Sequence, residues 1–203
     1  MTVKIFAEGK DHKSRPLQFL RLGFQDFFRN GLPAHKQPDI EMCGPRGTAH
    51  RDFCNAVKKK TSTFNILLVD SEKPVSAGNT TWQHLKSSDN WDNCGTSDDQ
   101  CHLMVQATEA WIIADIQALK TFYGGKLEER HVANLGNIGQ ISPKDLVTAL
   151  KKATYKVPRK IGTYHKTKHT RELLSLLDVN LVRSKAPHCN LLFRVLEQQL
   201  TPL

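Results

Sequence analysis

The chain has 203 residues, a formal net charge of +9 and 39% hydrophobic residues, which suffices for one substantial core with at most a smaller appendage. No apolar run approaches the roughly 18 residues of a bilayer span, and the first eight residues lack the apolar length of a signal peptide, so a soluble cytoplasmic protein with no membrane partner is expected. The charge is lopsided: residues 1–125 carry 15 Lys/Arg against 14 Asp/Glu, and residues 126–203 carry 14 against 6, which directs the C-terminal third toward an anionic partner, nucleic acid first.

Val3 to Ala7 reads as a strand closed by Glu8-Gly9. After Arg15-Pro16, apolar residues Leu17, Leu20, Phe24, Phe27 and Phe28 recur near helical spacing until Asn30-Gly31. Ile40 to Cys43 is a second strand, and Pro45-Arg46-Gly47-Thr48 opens a helix with a basic end at Lys58 to Lys60. Asn65 to Val69 is an unbroken apolar run of the buried-strand kind, ending in Asp70-Ser71-Glu72. Residues 73–99 form a long polar excursion with a single helical turn at Trp82 to Lys86. His102 to Gln106 is a fourth strand, followed by one helix from Thr108 to Phe122 that ends at Gly124-Gly125. Alternating strands and helices imply a parallel sheet of about four strands with right-handed crossovers. Leu127 to Ile141 is loop-like, Ser142 caps a helix through Ala153, and helices at Thr170–Leu177 and Leu191–Leu200 close the chain. The pattern divides into an α/β domain, 1–125, and a basic, mainly helical subdomain, 126–203. The five cysteines, Cys43, Cys54, Cys94, Cys101 and Cys189, are odd in number and include no Cys-x-x-Cys pair, so neither a disulfide framework nor a structural zinc site is expected.

A parallel sheet delivers every strand end to one edge, the usual ligand edge of an open α/β sheet. Four acids have addresses there: Glu8, Asp70, Glu72 and Glu109. If the extended backbone continues through Ser71, Asp70 and Glu72 project to the same side. Converging carboxylates repel unless a cation or proton separates them, and a hard divalent ion, Mg²⁺ or Mn²⁺, suits such oxygen ligands. The plainer reading is that acids at strand ends cap helices or solvate turns.

Phe6-Ala7-Glu8-Gly9-Lys10-Asp11 followed by Leu67-Leu68-Val69-Asp70-Ser71-Glu72 resembles the Toprim signature, a strand ending in Glu-Gly and a later one ending in Asp-x-Asp, here with Glu last. His102 to Asp115 is similar to a Toprim-like family of unknown function whose members are thought to accompany AAA or ABC-type ATPases in bacterial anti-phage systems. The resemblance implies a Toprim-like fold, Glu8 as general acid, base or metal ligand, and Asp70 and Glu72 holding Mg²⁺. Two departures from the signature stand out: Asp11 comes one residue early, and Glu72 is longer than the Asp it replaces.

From Lys151 to Arg171 there are eight basic residues and no acid, interleaved with Tyr155, Tyr164, His165 and His169. Lysines and arginines neutralise phosphates and tyrosines stack on unpaired bases. Lys151, Lys152, Lys156, Arg159, Lys160, Lys166 and Lys168 are therefore candidate nucleic-acid contacts, together with Lys10 and Arg46 nearer the acids. The alternative is a solvated basic loop. The function expected is a metal-dependent nuclease for DNA or RNA, tRNA included, with catalytic Glu8, Asp70 and Glu72, metal held by these and Glu109, and an ATPase partner or a homodimer left open. The competing class is a non-catalytic module that binds an ATPase or nucleic acid. An Asp-nucleophile phosphohydrolase ranks last, because Asp70-Ser71-Glu72-Lys73-Pro74 lacks the second Asp of that chemistry.

Overall fold

The structure, a computed structural model, describes residues 2–9 and 14–200. Four parallel strands form its sheet: β1 (Val3–Ala7), β2 (Asp39–Met42), β3 (Phe64–Asp70) and β4 (Cys101–Met104), in the spatial order β2-β1-β3-β4. The α/β class and the helix-flanked parallel sheet are as expected from the alternation of apolar periods. From β1 the chain steps outward to β2, crosses back to β3 and continues outward to β4. The direction of winding therefore reverses between β1 and β3, and the carboxyl ends of those two strands frame the crevice where such sheets bind ligands.

Side chains alternate across the sheet and define two unequal faces. Ile5, Ala7, Ile66, Leu68 and Met104 belong to a broad apolar cluster, whereas Phe6, Leu67, Val69 and Leu103 belong to a narrow one. The narrow face is covered by α2 (Arg46–Lys58) and α3 (Thr81–Asp89), through Ala49, Phe53, Trp82 and Leu85. The broad face is covered first by α1 (Ser14–Gly31) and α4 (Thr108–Ala114), where Phe27 stacks on Trp111 at 5.2 Å between ring centroids. It continues through α5 (Ile116–Tyr123), α6 (Pro143–Ala153), α7 (Lys166–Leu176), α8 (Val179–Lys185) and α9 (Pro187–Gln199), which add Leu119, Leu146, Leu173, Val182 and Phe193 to the same cluster. Residues on both sides of position 125 thus share one core. The α1–α7 packing requires Gly23, since a Cβ there would come within 2.9 Å of the Arg171 Cα.

Several elements differ from the sequence reading. The excursion 73–99 holds a full nine-residue helix, α3, started by a capping box in which Thr80 and Gln83 exchange side-chain and backbone bonds. The single helix expected over Thr108–Phe122 is two. Asp115 interrupts it, its Oδ1 accepting from the N–H groups of Gln117 and Ala118 at 3.0 and 3.1 Å and so capping α5. Its Oδ2 accepts from Asp178 N at 2.8 Å, which fixes the approach to α8, a helix the apolar spacing did not reveal. The cysteine expectation is also overturned, because Cys54 of α2 and Cys94 in the segment after α3 form a disulfide across 40 residues of sequence. No local spacing announces such a pair. Among the described residues no helix is long and apolar enough to cross a membrane.

Candidate metal centre at the carboxyl edge

Glu8 follows β1 directly, its N–H donating to Leu68 O at 2.9 Å as though the strand ran one residue further. Asp70 is the last residue of β3. The two are locked by one hydrogen bond, Asp70 N to Glu8 Oε2 at 3.0 Å. Gly9 lets α1 close over this point, for a Cβ would meet a Leu17 methyl at 2.9 Å and a Leu20 methyl at 3.2 Å. After Asp70 the strand does not continue, contrary to the expectation of extended backbone. Glu72 is left-handed, with φ 59°, and its N–H donates to Gln106 O at 3.0 Å while Ser71 Oγ donates to Lys73 O at 2.6 Å. A turn, not the strand pleat, brings Glu72 in. One oxygen from each of Glu8, Asp70 and Glu72 lies within 4.8 Å of the others. A non-glycine residue held left-handed beside two buried acids is the kind of local strain that gathers at working sites.

Each acid is braced by different neighbours. Asp70, 3% exposed, accepts from Thr108 N at 3.0 Å through Oδ1, while Oδ2 lies 3.8 Å from Lys166 Nζ. Glu8 Oε2 lies 3.6 Å from Arg46 Nε, which has no hydrogen-bond partner of its own. Burial, then the charge of Asp70, push the Glu8 carboxyl up to about 8 against the opposing Asp70 N–H and Arg46. Glu8 therefore holds a proton more tightly than an ordinary carboxylate, and a further cation beside it would favour its release.

Glu109 does not join the other acids. It is 1% exposed and its oxygens accept from Tyr164 Oη at 3.1 Å and Lys166 Nζ at 2.9 Å. Lys166 thereby stands between Glu109 and Asp70. Burial opposes its charge, but Asp70 and then Glu109 outweigh burial and hold its pKa above the ordinary lysine value. The position of Lys166, at the first turn of α7, could have been read from the basic segment, but its turn inward toward acids could not. A pocket of about 230 Å³ opens over this group, walled by Glu8, Asp70 and Thr108 on one side and by Leu17, Leu20, Lys166, Thr170 and Arg171 on the other.

The remaining candidates scatter. Arg46 is not directed at solvent but forks onto Asp89, at 2.6 and 3.1 Å, with Trp91 5.0 Å from its guanidinium. Lys10, with Asp11, lies outside the described residues. Lys151 and Lys152 end α6 beside Tyr155, which is 76% exposed, along a shallow depression of about 610 Å³. Lys156, Arg159, Lys160 and Lys168 are exposed, Lys156 pairing with Glu128 at 2.9 Å. Tyr164 is buried and unavailable for base stacking. His165 and His169, four apart in sequence, are in none of the groups of converging metal-ligand atoms among the described residues, and His169 Nδ1 is shared between Tyr123 Oη at 2.8 Å and His165 N at 3.2 Å.

Hard carboxylate oxygens of this number and spacing fit Mg²⁺ or Mn²⁺ in kind. Glu8, Asp70 and Glu72 are the residues that would hold such an ion. No curated protein and no solved structure matches the chain. The profile of the family described as Domain of unknown function (DUF4276) matches residues 13–197, nearly the whole chain, which therefore belongs to that family.

Proposed function

We propose that the protein is a metal-dependent phosphodiesterase acting on nucleic acid, a nuclease of Toprim-like type. The observation that carries this reading is the convergence of Glu8, Asp70 and Glu72 at the sheet's switch point, beside a pocket whose opposite wall supplies Lys166 and Arg171. A bound Mg²⁺ or Mn²⁺ would polarise a phosphoryl oxygen and lower the pKa of water. The chain's own residues do the rest. Asp70 and Glu72 supply negative charge to the ion, Thr108 N–H fixes the Asp70 carboxylate, and Glu8, already disposed to carry a proton, accepts or returns one during hydrolysis. Arg171 and Lys166 face the phosphate, and the Lys151–Lys152–Tyr155 surface holds a flanking strand.

The test is cleavage of plasmid, single-stranded DNA and total tRNA with Mg²⁺, with Mn²⁺ and with EDTA. Asp70→Asn and Glu8→Gln are expected to lower turnover by about 100-fold or more while leaving the fold intact. Metal-independent cleavage, or full activity in both variants, overturns the mechanism.

A second reading, a non-catalytic module that binds an ATPase partner or nucleic acid, draws on one specific observation. Arg46 and Lys166 already stand 3.6 and 3.8 Å from the two buried acids, so internal cations partly fill the role of a metal. It expects no turnover across the panel and co-purification of the chain with an AAA or ABC-type ATPase. Membership in an anti-phage system belongs with that partner and is tested by phage challenge of cells carrying wild-type or Asp70→Asn protein.

A further inference from the structure

The disulfide ends a strip of contacts that begins at the acid site. Arg46, His50 and Cys54 are spaced four apart on one face of α2, and each meets the segment Asp89–Cys94. Arg46 forks onto Asp89 and lies over Trp91. The His50 ring stacks on Trp91, 4.5 Å away and within 2° of parallel, and its Nε2 lies 2.9 Å from Asp92 O. That same nitrogen is 3.4 Å from Cys54 Sγ and 3.7 Å from Cys94 Sγ. Cys54 is buried, while Cys94 is only half-buried and left-handed, with φ 55°. The narrow face is otherwise a small cluster, so a covalent tie there has more to hold than it would on the broad face.

We propose that Cys54 and Cys94 are a reversible redox site, exchanging with a dithiol reductant, and that reduction releases the segment carrying Trp91 and Asp89 from Arg46. In the exchange an incoming thiolate attacks the more exposed Cys94 Sγ and forms a mixed disulfide. The Cys54–Cys94 bond breaks, and its electron pair leaves on Cys54 Sγ, which takes a proton from His50 Nε2. The second thiol of the reductant then attacks its own sulfur in the mixed disulfide, Cys94 leaves as thiolate and takes the proton that thiol gives up. The protein gains two electrons and two protons, His50 recovering its proton from solvent, and the dithiol becomes a disulfide. An imidazole 3.4 and 3.7 Å from the two sulfurs is placed to deliver a proton to the departing Cys54 sulfur. Once the bond opens, only non-covalent ties hold that end, the Trp91 stack, the Asp92 carbonyl on His50 and the Lys86–Asp92 ion pair, so the segment loosens and Arg46 gains freedom to leave Glu8.

The test of this site needs no substrate. The full chain is equilibrated in oxidised and in reduced dithiothreitol, then its thiols are counted after denaturation and its amide exchange is followed over residues 89–97. Three thiols are expected in the oxidised protein, those of Cys43, Cys101 and Cys189, and five in the reduced. Exchange at 89–97 is expected to quicken about tenfold on reduction. Cys94→Ser should exchange at the faster rate in both buffers. His50→Phe, which keeps a ring against Trp91, should be reduced about tenfold more slowly with an unchanged oxidised count. Five thiols under oxidising conditions, or a change in thiol count without a change in exchange, overturns the proposal. Retention of one Zn²⁺ by the reduced protein, lost in Cys94→Ser, would overturn it as well and assign His50, Cys54 and Cys94 to a metal site.

Discussion

Glu8 and Asp70 share a hydrogen bond, yet each answers to a different face of the sheet. Asp70 is governed from the broad face, where Thr108 of α4 and Lys166 of α7 reach it from helices seated on a core of stacked aromatics. Glu8 is governed from the narrow face, where Arg46 reaches it from α2, a helix packed on the sheet by a few side chains and tied to the end of α3 and the segment after it by an ion pair with Asp89 and a disulfide. The polar partners of Asp70 therefore sit on well-packed helices, whereas the partner of Glu8 sits on a helix that polar and covalent ties help to hold. Packing fixes a group with little regard to conditions, whereas ion pairs and disulfides respond to salt, pH and redox state. If the disulfide opens as proposed, the Glu8 side would be adjusted while the helices that brace Asp70 stay packed.

If the broad face carries the fold, its centre should be the most costly place to cut. Phe27 is fully buried and touches Trp111, Phe28 and Phe193 at 5.2 to 5.8 Å between centroids. Phe27→Ala is expected to cost about 3–5 kcal/mol, the range for aromatic truncation in a close-packed core. Urea unfolding of the oxidised protein measures it, and a cost under about 1 kcal/mol would deny the broad face its role.

The broad face has an acid-sensitive point on the sheet itself. His102 has the same parity on β4 as Met104, is 5% exposed, and has its pKa depressed from 6.5 to about 4, chiefly by burial, with the carbonyl of Asp99 opposing. The folded state thus binds fewer protons than the unfolded state. The stabilisation is complete above pH 6.5 and is lost as pH falls through the window down to about 4. The gap limits the effect to about 3 kcal/mol. His169 and His188 are depressed by burial in the same direction, so the quantity to measure is the difference between wild type and His102→Gln in denaturant titrations from pH 7 to pH 4. Parallel curves would mean that His102 is not the point of acid sensitivity.

The broad face was also the more legible of the two. Leu17, Phe24, Phe27 and Phe28 keep a helical period, the apolar run before Asp70 names its strand, and a parallel sheet carries Glu8 and Asp70 to one edge by geometry alone. Glu72 arrived there for a reason the alternation could not supply, a left-handed turn. Glu109 was placed on the right edge but missed the cluster, because Lys166, 57 residues further along, claims it. The basic segment reads as uniformly outward from its charge, and only the contact of Tyr164 and Lys166 with Glu109 turns part of it inward. On the narrow face the decisive partners, Cys54 with Cys94 and Arg46 with Asp89, sit some 40 residues apart with no periodic signal linking them. Polar stretches such as 73–99 look like loops when the helix they contain is set by its cap and not by an apolar stripe.

That cap gives the smallest and most discriminating test. Thr80 Oγ1 accepts from Gln83 N at 3.3 Å, and Gln83 Oε1 accepts from Thr80 N at 2.9 Å. Thr80→Ala removes half of this exchange and is expected to cost about 1 kcal/mol. The consequence does not stop at α3, since His84 on that helix binds the Ser71 carbonyl at 3.1 Å, and Ser71 lies inside the turn that presents Glu72. Amide exchange at residues 71 and 72 should therefore quicken together with exchange in α3, while exchange in α4 and α7 stays at the wild-type rate. A loss near that of Phe27→Ala, or loosening that spreads to the Asp70 side, would show the two faces to be a single cooperative unit and would remove the basis for adjusting one acid without the other.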